Sequence, residues 1–549
     1  MSKQLCHPFA FALLAGGTLL STLPVNAQAP NTQTPAVGVT DPASKPEGSE
    51  LNLSLIRKSK DTSASSGSSS LKTIPSKKSA IRSAQGSKGA PAKPAPADTP
   101  WKISGNLRLR VEDWNFFPTD AANGAYTFGA DQLRVAVSRT TKKEDYLFEL
   151  QETGLFGLPS RAQAAAPIGQ LGAGPTYYAA NGANKSSIFF KQGYVKIKDF
   201  ATPGQSLKIG RFEFTDGLET TAPDPTLTWL KNNRIGHRLI GPFTFTHVGR
   251  SFDGIQYAKN SPKLSINVVG AFPTRGVFDE DGNDTLFGVK FLYASAVKPI
   301  TGKSPGEFRL FYIYYDDSRG VTPTDNRPAA VRGADRNSIR LQNYGMHYIR
   351  TFPMGANKAD VLLWGVGQLG KWGNLDQGSY AFAGELGYQF TKLPWKPWIR
   401  AGYYLGSGDG NNANGRHGTF VPLLPTVRIY ARYPFFNESN LEDTFVQAIL
   451  KPTSKLTLRT DFRLLKLADK NDLFYGGGGA YQNSTFGFSG RPSNGSTDLA
   501  RLVDLSADYA FNKSTTATLY FAYANGGAVL NEFKSRDSVY AYGELNYKF

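Results

Sequence analysis

Trp101-Lys102-Ile103-Ser104-Gly105-Asn106-Leu107-Arg108-Leu109-Arg110-Val111 changes character at every residue. Trp101, Ile103, Gly105, Leu107, Leu109 and Val111 take the odd positions, and Lys102, Ser104, Asn106, Arg108 and Arg110 the even ones. Successive side chains of a strand point to opposite faces, so this is a strand with one apolar and one basic face. Lys455–Lys466 repeats the pattern, with Leu456, Leu458, Phe462 and Leu464 against Thr457, Arg459, Asp461 and Arg463. Residues 378–390 set Tyr380, Phe382, Leu386, Tyr388 and Phe390 against Glu385 and Gln389. A soluble sandwich alternates too, so alternation alone does not choose the class.

Spacing chooses it. Strands are predicted at 101–114, 126–140, 144–153, 187–198, 205–214, 251–259, 263–272, 284–297 and 306–316. Nine more follow at 338–351, 358–369, 378–390, 396–406, 442–451, 455–467, 498–511, 515–525 and 536–549. The odd-numbered connections between these eighteen segments hold 11, 33, 36, 11, 21, 8, 35, 30 and 10 residues; the others hold 3 to 8. Long loops at one end and tight turns at the other mark an outer-membrane barrel. Mean hydropathy is −0.34. After the N-terminus no run reaches the roughly 18 apolar residues of a spanning helix. The expected fold is therefore all-β: a single transmembrane antiparallel barrel over 101–549. Closure is what lets such strands sit in lipid without unsatisfied edges.

The N-terminus reads as two other materials. Lys3, the apolar run Phe9–Ala15 with Thr18-Leu19-Leu20, and Pro24-Val25-Asn26-Ala27 make a secretory signal peptide, 1–27, cut after Ala27. Residues 28–100 are rich in Ser, Pro, Ala and Lys and contain no aromatic residue. Such a segment buries too little apolar surface to offset its ordering entropy, so a disordered periplasmic tether or spacer is expected. Its candidate partners are peptidoglycan or a periplasmic protein. The single cysteine, Cys6, lies in the leader, which excludes a disulfide framework and Cys-based zinc sites.

An eighteen-strand barrel is wide enough for an aqueous channel whose lumen charges set selectivity. The basic residues on predicted lumen faces are Arg108, Arg110, Arg134, Arg309, Arg400, Arg459 and Arg463. On the lipid face near mid-membrane each would cost about 2–4 kcal/mol. Guanidinium suits planar carboxylate or phosphate groups through paired donors. Glu149, Glu385 and Asp461 are interleaved as acidic lumen candidates. The expected function is an outer-membrane channel conducting or exporting an anionic solute through an Arg-rich constriction. The alternatives are a general diffusion porin of low selectivity, or a structural or adhesive barrel closed by loops at 154–186, 215–250, 407–441 and 468–497.

Leu207-Lys208-Ile209-Gly210-Arg211, Gly217, Asn232-Asn233-Arg234 and Gly249-Arg250-Ser251-Phe252-Asp253-Gly254-Ile255, with Lys191-Gln192-Gly193-Tyr194-Val195 upstream, resemble the alginate-export outer-membrane barrel family. The resemblance implies eighteen strands and an electropositive constriction passing an acidic polysaccharide or another anion, and it adds Lys191, Arg211 and Arg250 to the constriction set. Glu213 stands where founding members tend to carry a further basic residue. Barrels resembling this one commonly end on an aromatic that the outer-membrane assembly machinery recognises. Tyr547 and Phe549, on one face with Val539, Ala541 and Leu545, are that candidate signal.

Catalysis finds no support. His7, His237, His247, His347 and His417 form no His-Glu-x-x-His pair, and neither a Gly-x-Ser-x-Gly elbow nor a phosphate loop occurs. His237 and His417, in long loops, have no evident partner. No cofactor is implied. The Arg residues are dispersed in strands, without the stacking aromatics that nucleic-acid binding uses. Asp279-Glu280-Asp281-Gly282-Asn283-Asp284 has the oxygen-rich look of a calcium loop, with Asp279, Asp281 and Asn283 as ligands, but lacks the full spacing. A tight polar turn explains it more simply.

Overall fold

The computed structural model describes residues 98–549 except 121, 167, 223, 237 and 427–431. The leader and nearly all of the tail, and with them His7, lie outside the described residues, as does His237. The chain forms eighteen long strands. They are β1 Lys102–Asn115, β2 Ala125–Thr140, β3 Glu144–Phe156, β4 Lys185–Lys198, β5 Gln205–Phe212, β6 Phe252–Asn260, β7 Ser265–Pro273, β8 Val289–Ile300 and β9 Gly306–Asp317. They continue as β10 Ile339–Met354, β11 Asn357–Trp372, β12 Leu375–Gln389, β13 Trp398–Gly406, β14 Leu441–Leu450, β15 Leu456–Lys466, β16 Asp498–Ala510, β17 Thr515–Gly526 and β18 Asp537–Lys548. Every strand pairs antiparallel with its sequence neighbours. β18 returns to β1, from Asn106 opposite Lys548 to Asn115 opposite Val539, which closes the barrel.

All eighteen predicted strands are present. The period-two patterns position them because a slip of one residue would turn the exposed apolar set inward and the charged set into lipid. Ile103 is 74% exposed and Leu386 67%, whereas Arg309, Arg400 and Arg463 are fully buried on the opposite face. The outside is thus an apolar belt and the inside is charged. The largest departure from the expected loop lengths is in one connection. The connection read as eight residues between β11 and β12 is a two-residue turn at 373–374, because both strands extend past their predicted ends to pair Trp372 with Leu375.

The chain end is seated in the wall. The Phe549 and Gly105 backbones exchange two hydrogen bonds (2.9 and 3.1 Å). A Cβ on Gly105 would lie 2.2 Å from the Phe549 ring, so the ring packs over the bare glycine and would have to shift for any other residue.

Candidate functional site

The third long connection, residues 213–251, turns inward and crosses the lumen. Asp224 caps a short helix, Pro225–Leu230, by accepting from the N–H groups of Thr226 (2.7 Å) and Leu227 (3.3 Å). A π-helical turn, Lys231–Ile235, follows and aims Lys231 and Arg234 at the wall.

On the arc β9–β13 the loop is held by ion pairs. Lys231 Nζ donates to both oxygens of Glu307 at 2.9 Å, and Lys358 Nζ reaches Asp224 at 2.9 Å. Arg234 Nε donates to Glu385 at 2.8 Å, and Arg238 lies 3.8 Å from the same carboxylate while also pairing with Glu438. Arg309 pairs with Asp216 and, at 3.0 Å, with Glu219. Arg400 bridges Asp360 and Glu385, the latter at 2.8 Å.

On the arc β1–β4 the same loop is held by its own backbone. Arg108 donates from both terminal nitrogens to the carbonyls of Thr244 and Thr246, each at 2.7 Å. Arg110 donates to the Phe245 carbonyl (2.9 Å) and to Glu544 (2.5 Å). Gln132 donates to the His247 carbonyl. Gln151 donates to the carbonyls of His247 and Val248, and Lys191 Nζ to that of Val248 at 3.1 Å. His247 sits 3.6 Å from Glu112. Burial and the nearby Arg108 guanidinium push its imidazole down to about 3 against the pull of Glu112, so it is neutral at pH 7.

Two further loops complete the filling. Gly241 N–H donates to the Leu424 carbonyl, Leu424 N–H to the Leu239 carbonyl, and Phe243 N–H to Thr426 Oγ1, all at 2.8 Å. Arg250 donates to the carbonyls of Gly478 (2.6 Å) and Ala480 (3.2 Å), fastening the third loop to the connection at 467–497. On the chain-end side of residues 244–246 a recess of about 680 Å³ opens, lined by Ser104, Asn106, Arg108, Gln132, Arg134 and Thr244 among others.

Of the expected basic residues, Arg108, Arg110, Arg134, Lys191, Arg309, Arg400, Arg459 and Arg463 face the lumen or the loops filling it. Most are matched there. Arg459 lies 3.1 Å from Asp461, and Arg463 pairs with Asp443 and, at 3.2 Å, with Asp461. Arg134 lies 3.0 Å from Glu213 and 3.7 Å from Glu149; Lys191 lies 3.7 Å from Glu213. Glu213, the departure from the family pattern, thus stands between two wall cations. Arg211 is elsewhere. It shares the face of Ile209, which is 46% exposed, and binds Asp253 (2.7 Å) and the Asn283 carbonyl (2.7 Å) on the outer side of the wall. Arg211 follows Leu207 and Ile209 in parity, so its own strand turns the side chain outward, whereas the bulge in β4 is what brings Lys191 to the lumen side.

Between Asp279, Asp281 and Asp284 lies Arg275, at 2.7, 2.7 and 3.3 Å. Asn283 instead accepts from the Phe190 N–H at 3.0 Å. Among the described residues no group of three or more His, Cys, Asp or Glu is arranged to hold a metal. His417 is not solvated but buried, stacked on Trp372 at 4.3 Å with Nδ1 2.7 Å from Gln377. His347 Nε2 is 2.9 Å from Glu307.

The carboxylates that balance the wall were legible only in part. Glu112 shares the parity of Arg108 and Arg110 and was open to the same reading. Asp216, Glu219, Lys231 and Arg238 come from the loop, where no periodicity points inward.

A closed antiparallel barrel with an apolar belt and a charged lumen crossed by its own loops is an outer-membrane barrel of the channel type. The alginate export family model matches residues 160–544, and the chain belongs to that family. Its place is the bacterial outer membrane. Among curated sequences none matches. Among solved structures the barrel is similar to the outer membrane protein OpdK of Pseudomonas aeruginosa: 10% identity, 82% of this chain and 99% of that one, TM-score 0.47. It is similar also to OccK9 (OpdG) of the same organism: 11% identity, 82% and 98%, TM-score 0.48. OccAB2 of Acinetobacter baumannii gives 9% identity, 82% and 98%, TM-score 0.48.

Proposed function

We propose that this outer-membrane channel conducts an anionic solute, an acidic polysaccharide or a smaller anion, past Arg108, Arg110, Arg134 and Lys191. One observation carries the reading. Arg108 spends its paired donors on backbone carbonyls at 2.7 Å, and its nearest carboxylate, Glu544, is 4.0 Å away. A carbonyl is a dipole, whereas a carboxylate or phosphate brings full charge and two oxygens to the same fork. An anion arriving in the recess therefore competes well for that guanidinium. The test is reversal potential in a salt gradient across a planar bilayer, with polyuronates and simple carboxylates as blockers. Anion preference that falls in Arg108→Gln supports the reading; wild-type cation preference overturns it.

Low selectivity is the second reading. It is favoured by Arg309, Arg400, Arg459 and Arg463, each matched by carboxylates, which leaves little net field on that side. Equal anion and cation permeability would select it. A structural or adhesive barrel is favoured by the three loops filling the lumen, and it requires silence in the bilayer. Tyr547 and Phe549 are read as the assembly signal, and deleting Phe549 should lower the yield of heat-modifiable barrel.

A further inference from the structure

The geometry points to a second site, at the outer mouth, for a small aromatic carboxylate. It rests on the long loops alone and not on the reading of the constriction. A cavity of about 190 Å³ lies among six outer connections and is lined by the rings of Phe116, Phe243, Phe278, Phe435, Tyr481 and Phe488. Phe278 is 6.1 Å from Phe243 and 5.8 Å from Tyr481, centroid to centroid, so the rings form a continuous apolar wall. An apolar cavity of roughly 150 Å³ holds benzene, so the space suits one six-membered ring.

Arg491 also lines this cavity, and it is 6% exposed. Its Nε donates to the Ile168 carbonyl at 2.8 Å and its Nη2 to the Gln170 carbonyl at 3.2 Å. Nη1 has no acceptor among the described residues, and no carboxylate among them lies within ion-pair distance. Phe116, Phe474 and Phe533 surround the guanidinium at 5.8–5.9 Å. The nearest acting carboxylate, Glu532, lies beyond ion-pair contact, so the buried cation is only partly compensated, and a ligand carboxylate on Nη1 relieves that cost. Ring faces plus one unspent guanidinium N–H select a flat apolar body carrying one negative charge. A sugar acid fits less well on the side of the six rings, whereas a flat ring uses those faces and leaves Gln170, Thr176, Thr485 and Ser489 on the other side to its polar edge.

The place gives the site a role. Phe243 lines the mouth cavity and the next residue, Thr244, lines the recess on the other side of the loop. Phe243 has φ 53°, a left-handed conformation that is strained for a non-glycine residue. A solute held in the mouth is thus separated from the Arg108 recess by one residue step of a strained loop. Capture at the outer end favours uptake.

Calorimetric titration of the full chain in micelles tests the site, with benzoate, its neutral isostere benzamide, and glucuronate as probes. Benzoate should bind saturably, one per chain, at least tenfold tighter than benzamide or glucuronate. Arg491→Gln should remove the preference for benzoate over benzamide, and Arg491→Lys should restore part of it. Gly476→Val adds bulk at a residue that lines the same cavity without altering Arg491 and should weaken benzoate and benzamide alike. An unchanged heat-induced gel shift verifies folding, and the wild-type ratio with Gly476→Val decides the matter if Arg491→Gln does not assemble. Absence of saturable benzoate binding, equal affinity for benzoate and benzamide, tighter glucuronate, or benzoate binding undisturbed by Gly476→Val would each overturn the proposal.

Discussion

The arcs β1–β4 and β9–β13 hold the same loop by opposite means. On β9–β13, Lys231, Arg234 and Arg238 of the loop insert into wall carboxylates, and Asp216 and Glu219 answer Arg309. On β1–β4 the wall supplies cations and amides, and the loop answers mainly with the carbonyls of residues 244–248, with the Glu213 carboxylate beside Arg134 and Lys191. Charges taken out of water and matched are structural fixtures: removing one partner strands the other. Cations answered by dipoles remain open to a stronger anion. The first arc anchors the loop and the second presents it to solute.

The largest effect should come from the anchor. Glu385→Gln leaves Arg234, Arg238 and Arg400 short of a carboxylate and should cost about 3–5 kcal/mol, seen as a lower thermal transition of the solubilised barrel. The loosened loop should also raise single-channel conductance. A variant as stable and as conductive as wild type would show that the ion pairs do not hold the loop.

Arg108→Gln breaks the opposite arc. The loop loses two charge-assisted hydrogen bonds, about 1–3 kcal/mol of local stability. The anion-to-cation permeability ratio should fall roughly fivefold at low salt, the factor that about 1 kcal/mol of close-range Coulomb energy in water supplies, and less at 1 M salt. An unaltered ratio would place Arg108 outside the ion path.

Acid should loosen the presenting arc selectively. His247, facing Glu112, Arg108, Arg110 and Tyr177, has its folded pKa depressed to about 3, below the ordinary 6.5. The unfolded or released loop therefore binds more protons across that window. The stabilisation is fully present above about pH 6.5 and is lost as pH falls toward 3. Transient openings should become more frequent on acidification, and His247→Gln should flatten that dependence.

The smallest effect belongs outside both arcs. Arg275→Gln removes contacts to Asp279, Asp281 and Asp284, the last two substantially exposed, and should cost under about 1 kcal/mol with conductance and selectivity unchanged. A change in ion preference from this variant would blur the division between wall and rim.

The amino-acid sequence by itself determined the barrel. Eighteen alternating segments and loop lengths sorted to two ends are local properties, and in lipid only closure satisfies them. It also assigned the lumen face of Arg108, Arg309, Arg400 and Arg463, because parity within a strand is a local fact. Only the tertiary structure decided how those charges are spent. Asp216, Glu219, Lys231 and Arg238 reach the wall through a loop whose path has no period to read. Lys191 shares the parity of the outward Val195 and reached the lumen side only through a bulge in β4. Arg491 met its ring of phenylalanines only when six connections converged. Periodicity reports the environment of a strand, whereas the pairing of a buried charge depends on which distant segment fills the space opposite it.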